Sequence, residues 1–328
     1  MKYGCSLEMV NMLTSSLNFI YKQSKSFWVD YFKFIAAAGF KGIELPFNPF
    51  GGDPMAFETG RCGIPLSAGA IQAKYGSPDE FLAFLNDVGI EKVVSIHMNA
   101  NDVQLEANVR GYSRKLYFEL LEEMGLAAVA HAASLKAECL VVSPSPELGW
   151  LNKYGIAEDD VEFEDATVVV LNTVAKAAKG AGIALALKAE YWSFFRGKRL
   201  AGLQNSVAGA LMAPDLAHLQ IAGDPVTAVV KAHAHETACL HLCDTAFKDT
   251  VGNYARINAE IPVDGAQKVF CDLGEGDVDL LGAMKALKDS GYDGWVIAEQ
   301  RKTPDVYRGL LKMRWFIDHE IEKKLGEA

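Results

Sequence analysis

The feature that most constrains the fold of this chain is a regular alternation of short apolar runs with longer amphipathic stretches. None of the runs exceeds eight residues, and each is almost continuously apolar, which is typical of parallel strands buried on both faces. In chain order they are 2–7, 42–47, 92–98, 139–145, 183–190, 211–216, 239–245 and 295–300. The clearest helical patterns between them are 27–40, 113–135, 166–180, 280–294 and 304–324. The alternation predicts an α/β fold, a single (β/α)8 TIM barrel with long strand-to-helix loops.

We expect residues 1–328 to form one catalytic domain, because barrels of this class commonly reach this length. The alternative for such an alternation is a doubly wound nucleotide-binding sheet, but no G-x-G-x-x-G motif follows the first run. Ser77 and Glu80 predict the start of a helix, and Gly39 predicts the end of one. In a barrel the strand-to-helix connections lie at the face that carries the active site. Three of these connections are long, namely 48–76, 146–163 and 246–272.

The composition argues against several classes of partner. The formal net charge is −10 and no dense run of lysine or arginine appears, so we expect no nucleic-acid partner. No stretch approaches the roughly 18 apolar residues of a membrane helix, and the N-terminus lacks a signal-peptide pattern, so we expect a cytoplasmic protein without membrane contact. Six cysteines, several of them inside apolar runs, indicate reduced core thiols.

Ionisable side chains stand at or near the ends of the apolar runs. Glu190, Asp215, His241 and Glu299 belong to the fifth to eighth runs, and His97 belongs to the third. Burying such groups is costly unless they are paired or bound to a cation, and barrel geometry brings all strand ends to one rim. A Glu, Asp, His, Glu set suits one divalent metal ion, of which we favour Mn²⁺, with Mg²⁺, Co²⁺ or Zn²⁺ as alternatives.

Four fragments resemble the xylose isomerase-like TIM-barrel superfamily, which holds ketose epimerases, hydroxypyruvate isomerase, inosose dehydratase and endonuclease IV. They are DLAHLQIAGDP (215–225), LHLCDT (240–245), LGEGDVDL (273–280) and GYDGWVIAEQ (291–300). The resemblance covers nearly the whole chain. It implies that Glu190, Asp215, His241 and Glu299 are the metal ligands. It also implies that the two glutamates act as catalytic acid and base.

Some positions depart from the pattern of that superfamily. His218, in a D-x-x-H sequence, matches a substrate-contacting histidine of the epimerases and a metal ligand of the endonuclease. The additional D-x-H pair of the endonuclease is missing after His241, so we do not expect a second or third metal. Lys188 faces the barrel interior by the two-residue strand period, and most epimerases have no lysine there. The long 246–272 connection and the Glu299-Gln300 pair look more like the inosose dehydratases.

The implied reaction removes a proton next to a sugar carbonyl and forms an enediolate stabilised by the metal. Lys188 and His218 are further catalytic candidates. Aromatic and basic side chains of the strand-to-helix loops are candidates for packing against a sugar or holding its polar groups. The predicted substrate contacts are His97, His218, Trp192, Arg196 and Trp150, with Phe194 and Phe195 beside them.

We therefore expect a sugar or polyol isomerase or epimerase. A lyase is the alternative, because the same ligands support elimination from the same intermediate. That lyase is either inosose dehydratase-like or the catalytic subunit of a C-glycoside deglycosidase acting on 3-keto-glycosides. A DNA-repair nuclease and a non-catalytic binding barrel agree less well with the charge and the ligand set. The expected partners are a small-molecule sugar or polyol, further copies of the chain in an oligomer and, for the deglycosidase, a small second subunit.

Overall fold

A computed structural model of the chain describes residues 1–10, 24–47, 66–261, 269–301, 303 and 305–327. Each predicted apolar run overlaps a β-strand. The strands are β1 (Lys2–Ser6), β2 (Gly42–Pro46), β3 (Lys92–Asn99), β4 (Cys139–Ser143), β5 (Ala184–Leu187), β6 (Leu211–Met212), β7 (Cys239–Leu242) and β8 (Trp295–Ala298). The eight strands form one sheet in the order β6-β5-β4-β3-β2-β1-β8-β7, and the paired strands are parallel.

The two ends of this sheet meet, which makes it a barrel. β6 and β7 are joined by isolated parallel bridges between Met212 and Thr237 and between Asp215 and His241. The second bridge places two of the predicted metal ligands side by side at the carboxyl end of the barrel. The predicted TIM barrel is confirmed.

The helices surround the barrel and connect its strands. They are α1 (Lys25–Ala37), α2 (Ala68–Tyr75), α3 (Pro78–Val88), α4 (Ala100–Val109), α5 (Arg114–Ser134), α6 (Leu148–Lys153), α7 (Val161–Gly180), α8 (Lys198–Ser206), α9 (Leu216–Ala222), α10 (Val226–His233), α11 (Leu280–Asp289) and α12 (Val306–Phe316). A π-helical turn (Ile317–Glu322) continues α12 into α13 (Lys323–Glu327). Short 3-10 turns lie at Leu7–Met9, Ala234–Glu236 and Asn253–Ala255.

The five predicted helices are found, with ends that differ by a few residues. Gly39 follows α1 with a φ of +94°, and Ser77 caps α3 by accepting the Glu80 N–H at 3.2 Å, as predicted. Two predicted loops were wrong in part, because 48–76 contains α2 and 146–163 contains α6. Residues 48–65 of the first loop lie outside the described residues.

Inward-facing side chains of the strands change from apolar to polar toward the carboxyl ends. Alternate residues of a strand face the same side of the sheet. The inward series are Cys139-Val141-Ser143, Ala186-Lys188-Glu190, Cys239-His241-Cys243 and Trp295-Ile297-Glu299. Their apolar members form one cluster at the amino end of the barrel. A Cβ on Gly42 would lie 2.6 Å from a ring carbon of Trp295, so this end is tightly filled and the polar groups are confined to the other.

The expectations about membrane helices and cysteines can be compared with the described part of the chain. Among these residues no helix combines the length and the apolar character needed to cross a bilayer. Five cysteines are free thiols, and all of them except Cys271 are buried, which agrees with the predicted core thiols. Cys62 lies outside the described residues.

We predict that His131 makes the fold sensitive to mild acid. Its side chain on α5 is buried, neither ring nitrogen has a hydrogen-bond partner among the described residues, and burial lowers the pKa of His131 to about 4. Between this pKa and the ordinary value near 6.5, the unfolded state binds more protons, so stability falls as pH falls. We expect the unfolding free energy of the native chain to fall between pH 7 and pH 5. In His131→Leu this fall should be about 2 kcal/mol smaller, as measured by urea denaturation at both pH values.

The exposed His235 supplies the control for this experiment. His235→Gln should keep the pH dependence of the native chain. An unchanged pH dependence in His131→Leu would show that this histidine does not carry the effect.

Candidate active site at the carboxyl ends of the strands

Lys188 lies at the centre of the polar end of the barrel. Its Nζ is 3.2 Å from Asp215 Oδ2 and 3.3 Å from Glu299 Oε2, and all three side chains are fully buried. Burial opposes a charge on Lys188, but the Glu299 carboxylate outweighs it and raises the pKa of the lysine well above its usual range. Burial likewise opposes ionisation of Glu299, but Lys188 and Arg301 outweigh it and hold the pKa of Glu299 well below its usual range. Both groups are therefore charged at neutral pH.

Arg301 joins this ion pair to three further carboxylates. Its Nε donates to Glu299 Oε1 at 2.8 Å, and its two terminal nitrogens donate to Glu260 at 2.9 Å and to Glu190 Oε1 at 3.3 Å. Glu8 lies 3.6 Å from the same guanidinium, which is only 9% exposed. The planar guanidinium of Arg301 thus holds two carboxylates close to each other, that of Glu190 after β5 and that of Glu299 after β8.

A hydrogen-bonded chain leads from Glu190 to Glu8. Ser143 Oγ donates to Glu190 Oε1 at 2.9 Å, and His97 Nε2 lies 2.8 Å from Ser143 Oγ. Because the single hydroxyl hydrogen of Ser143 is used on Glu190, His97 Nε2 must donate to Ser143, while His97 Nδ1 contacts Glu8. Burial opposes this doubly protonated form, but Glu8 outweighs it and raises the pKa of His97. The predicted substrate contact His97 is therefore a buried cation that positions Glu190.

His241 makes its contacts with a glutamate inside a different strand, β2. Its Nε2 lies 3.0 Å from both carboxylate oxygens of Glu44, and Ser95 donates to the same carboxylate at 2.7 Å. Burial opposes ionisation of Glu44, but His241 outweighs it and the pKa of Glu44 falls to about 2. In this arrangement His241 faces Glu44, so its ligation of a metal together with Asp215 and Glu299 stays a prediction.

His218 is buried with an unused hydrogen-bond donor. Asp215 caps α9 by accepting the His218 backbone N–H at 3.2 Å, which fixes the histidine beside the ion pair. His218 Nδ1 accepts the Tyr191 N–H at 3.1 Å, and Nε2 has no partner among the described residues. Burial lowers the pKa of His218. The ring is therefore neutral, with its hydrogen on Nε2.

The other predicted substrate contacts lie at different depths. Trp192 is buried and its Nε1 donates to Glu260 at 3.1 Å, which places it next to the Arg301 network. Arg196 is partly exposed and stacks on Tyr254, its guanidinium carbon 3.5 Å from the ring centre. Trp150 lies on α6 with Lys153 Nζ 4.7 Å from its ring centre, and no described contact joins it to the carboxylates.

Phe194 and Phe195 belong to the barrel wall. Both are buried, and Phe194 lies 5.1 Å from the ring of Phe163 on α7. Both rings pack among other aromatic side chains, and the expectation that they contact a sugar stays a prediction.

Residues 258–260 of the long connection after β7 lie beside the polar end of the barrel. The Tyr191 hydroxyl donates to Ala259 O at 2.6 Å, and Glu147 accepts the N–H groups of Asn258 and Ala259 at 2.6 and 3.3 Å. These contacts place Glu260 beside Arg301 and Trp192. The predicted functional loop thus contributes a carboxylate to the site.

The residues present fit a divalent cation. Asp215, Cys243 and Glu299 each offer one ligand atom within 4.8 Å of the others, and Glu190 Oε2 is buried without a partner among the described residues. Carboxylate oxygens suit Mg²⁺ and Mn²⁺, and a thiolate suits Zn²⁺. The carboxyl groups outnumber the cationic side chains, which are Lys188, His97 and Arg301. These carboxyl groups are Glu8, Glu44, Glu190, Asp215, Glu260 and Glu299.

The sequence analysis missed four of the groups that form this site. Glu8 and Glu44 are a glutamate just after β1 and one inside β2, so the rule that found Glu299 would have found both. Arg301 follows Glu299 by two residues and carried no signal of its own. Glu260 lies in a long connection, and only the folded loop brings it to the mouth.

Comparison with known proteins agrees with this architecture. A family model described as "Xylose isomerase-like TIM barrel" matches residues 32–318. No protein in the curated set matches the chain. Among solved structures, L-ribulose 3-epimerase has a TM-score of 0.68 and 15% identity, covering 100% of this chain and 97% of its own. The probable 3-DHS dehydratase AsbF from Bacillus anthracis has a TM-score of 0.66 and 14% identity, and the match covers 97% of this chain and 99% of the dehydratase.

A third structure is longer than this chain. It is a xylose isomerase-like TIM barrel/4-hydroxyphenylpyruvate dioxygenase fusion protein, with a TM-score of 0.63 and 14% identity. This chain is covered completely but spans only 44% of the length of the fusion protein. At such identities the three structures are evidence for the fold alone.

We predict that removing the Lys188 ammonium destabilises the protein and that a divalent cation restores the loss. Lys188→Met leaves Asp215 and Glu299 buried without their shared counter-charge, which should cost about 3–5 kcal/mol of unfolding free energy. Because the ammonium contacts two of the carboxylates that offer ligand atoms to a metal, MnCl₂ should raise the melting temperature of the variant more than that of the native chain.

Lys92→Met is the matched control, because this lysine is partly exposed and lies 3.9 Å from Glu138. It should change the unfolding free energy by less than about 1 kcal/mol. A Lys188→Met protein as stable as the native chain in EDTA would contradict the assigned role of the ammonium.

Proposed function

This chain belongs to the xylose isomerase-like TIM-barrel family, and from that premise we propose that it is a metal-dependent carbohydrate isomerase or epimerase. The observation that carries the proposal is the meeting of Glu190 and Glu299 on one guanidinium, since both are buried and follow different strands, β5 and β8. Two carboxylates on either side of a substrate allow a proton to be removed by one and returned through the other.

Glu190 is the proposed base. Its Oε1 is held by Ser143 and Arg301, whereas Oε2 is buried and has no partner among the described residues. An acceptor that is positioned through one oxygen and unused at the other is suited to take a proton from a carbon acid in contact with it. The buried imidazolium of His97 keeps Ser143 donating, and so fixes the orientation of the carboxylate.

Glu299 and Lys188 form the proposed second acid–base unit. The glutamate is ionised and has no proton to return, but the ammonium 3.3 Å from its Oε2 carries one. The neutral His218 supplies a hydrogen bond from Nε2 to a substrate oxygen. We thereby assign catalytic roles to Glu190, Glu299, Lys188 and His218 and substrate contacts to Trp192 and Arg196.

The proposed metal ligands are Glu190, Asp215, His241 and Glu299, and Cys243 lies close enough to join them. When bound, a divalent cation supplies positive charge opposite the substrate oxygen that becomes negative during proton removal. Mn²⁺ and Mg²⁺ agree best with carboxylate oxygens as the majority of the donors. His241 keeps Nε2 on Glu44, 3.0 Å from both oxygens, and its Nδ1 is buried without a partner among the described residues, so Nδ1 is the nitrogen proposed to bind the metal.

A lyase is the second candidate, favoured by the donor on His218 Nε2. A hydrogen-bond donor without an acceptor in a buried site is suited to stabilise a leaving oxygen by a hydrogen bond, while the proton itself would come from the Lys188 ammonium. The first step, proton removal by Glu190, is common to both functions. Only the fate of the intermediate separates them.

We predict that the Mn²⁺-loaded protein incorporates deuterium from D₂O into one C–H position of a ketose, an inosose or a 3-keto-glycoside. Glu190→Gln and Glu299→Gln should each lower the rate of incorporation by about 10²–10⁴, since removal of a positioned acid or base has that effect. Mass spectrometry measures the uptake, and NMR of the product identifies the carbon.

Glu91→Gln changes an exposed glutamate and should keep the native rate. Uptake without loss of a group identifies an isomerase or epimerase, and uptake with loss of a group identifies a lyase. If none of the three substrate classes exchanges, or if both glutamine variants exchange at the native rate, the proposed chemistry is wrong.

A further inference from the structure

A second set of metal-binding side chains lies inside the barrel, on the strands themselves rather than after them. Glu44 on β2 and Cys239 and His241 on β7 are fully buried. Each offers one ligand atom, and these three atoms all lie within 4.8 Å of one another. A carboxylate oxygen, an imidazole nitrogen and a sulfur in one place form the mixture of donors that zinc binds in proteins.

Cys139 on β4 adds a second sulfur to this set. Its thiol lies close enough to the Cys239 thiol to interact with it. The contact of Cys139 Sγ with the Val94 carbonyl oxygen is long, at 3.9 Å, and leaves the sulfur available to an ion. Both cysteines belong to the cluster of inward-facing residues at the amino end of the barrel. Two cysteines, a histidine and a glutamate together supply four ligands, the number found in structural zinc sites.

The spacing between Glu44 and His241 suits a shared ion. His241 Nε2 lies 3.0 Å from each carboxylate oxygen of Glu44. Two ligands at about 2.0–2.1 Å from a tetrahedral zinc ion are about 3.3 Å apart, so a small displacement of these two side chains admits the ion. Ser95 donates to Glu44 Oε2 at 2.7 Å, and a hydrogen bond of this kind commonly orients a carboxylate that binds a metal.

The charges around these side chains also favour a divalent ion. A thiol that binds a metal loses its proton, so two thiolates and the Glu44 carboxylate together oppose the charge of the ion with one negative charge in excess. The Lys188 ammonium is close enough to act electrostatically on both Glu44 and Cys239. Its positive charge offsets the excess, which lowers the cost of burying the ion and its ligands.

We propose that Glu44, Cys139, Cys239 and His241 form a structural zinc site inside the barrel, in addition to the proposed catalytic cation. With four protein ligands and full burial, the zinc ion has no position for a substrate. His241 belongs to both sites, because its Nε2 faces Glu44 whereas its Nδ1 is the nitrogen proposed for the catalytic metal. The inner ligands come from β2, β4 and β7, so they do not depend on the D-x-H pair that is missing after His241.

The first experiment measures the zinc content of the full chain by mass spectrometry, after production in medium containing ZnSO₄ and dialysis against EDTA. Because the inner ligands are buried, we expect the native chain to retain about one zinc ion per chain. Cys239→Ser should retain less than about a tenth of this amount, since it removes the sulfur nearest to Glu44 and His241. Cys239→Ala is a second variant in case the serine variant does not fold.

Two other buried cysteines supply matched controls. Cys243→Ser removes the sulfur of the group formed with Asp215 and Glu299. Cys5→Ser removes a thiol on β1 that belongs to the main apolar cluster and not to the inward-facing one. Both control variants should retain as much zinc as the native chain.

Replacement of zinc by Co²⁺ identifies the sulfur ligands, because a thiolate bound to Co²⁺ gives a charge-transfer band in the near ultraviolet. We expect this band in the native chain and in Cys243→Ser. It should be weaker in Cys139→Ser, which loses one of the two sulfurs, and weaker again in Cys239→Ser.

A native chain that loses its zinc, or folded Cys239 variants that retain as much zinc as the native chain, would overturn the inner site. Loss of both the zinc and the Co²⁺ band in Cys243→Ser would place the ion at the catalytic group and overturn it as well. These results are separate from deuterium exchange. Exchange by a chain without inner zinc leaves the proposed chemistry intact, and zinc retention without exchange leaves the inner site intact.

Discussion

Compensation of buried negative charge is the constraint on which the rest of this structure depends. The carboxyl ends of the parallel strands bring glutamates and an aspartate into a space closed to water, where each ionised group would be unstable alone. Lys188 and Arg301 make their burial possible, and each is shared between several carboxylates. The barrel can therefore carry a reactive polar end on an otherwise apolar interior.

The two-residue period of the strands connects this polar end to the core. Ile297 and Glu299 lie on the same face of β8, so the packing of the apolar cluster fixes the position of the glutamate. Ala186 and Lys188 on β5 are related in the same way. Glu299 and Lys188 are thus positioned by the packed residues two positions before them. The positions of these two charged groups therefore depend on core packing rather than on the loops.

The sequence predicted the barrel and its strands well because buried parallel strands have a strong local signature. It did not predict the helices α2, α4, α6, α8, α9 and α10, most of which contain too few turns to show a period. For the site, Glu190, Asp215 and Glu299 were found by their positions at strand ends. The contact of Arg301 with Glu260 joins residues 41 positions apart, and that of His241 with Glu44 joins residues 197 positions apart. A local sequence pattern cannot predict contacts over such separations.

The shared oxygens explain how such a chain can fold before a metal is bound. Asp215 Oδ2 and Glu299 Oε2 contact the Lys188 ammonium, and the same two residues belong to the group that offers ligands to a cation. A divalent ion must therefore compete with the Lys188 ammonium for these carboxylates. This competition lowers the net binding energy of the ion, while the ammonium stabilises the carboxylates without it. The carboxyl groups still outnumber Lys188, His97 and Arg301, so attraction for a further cation remains after these pairs have formed. The same lysine that stabilises these carboxylates would thereby also limit the affinity of the barrel for a divalent cation.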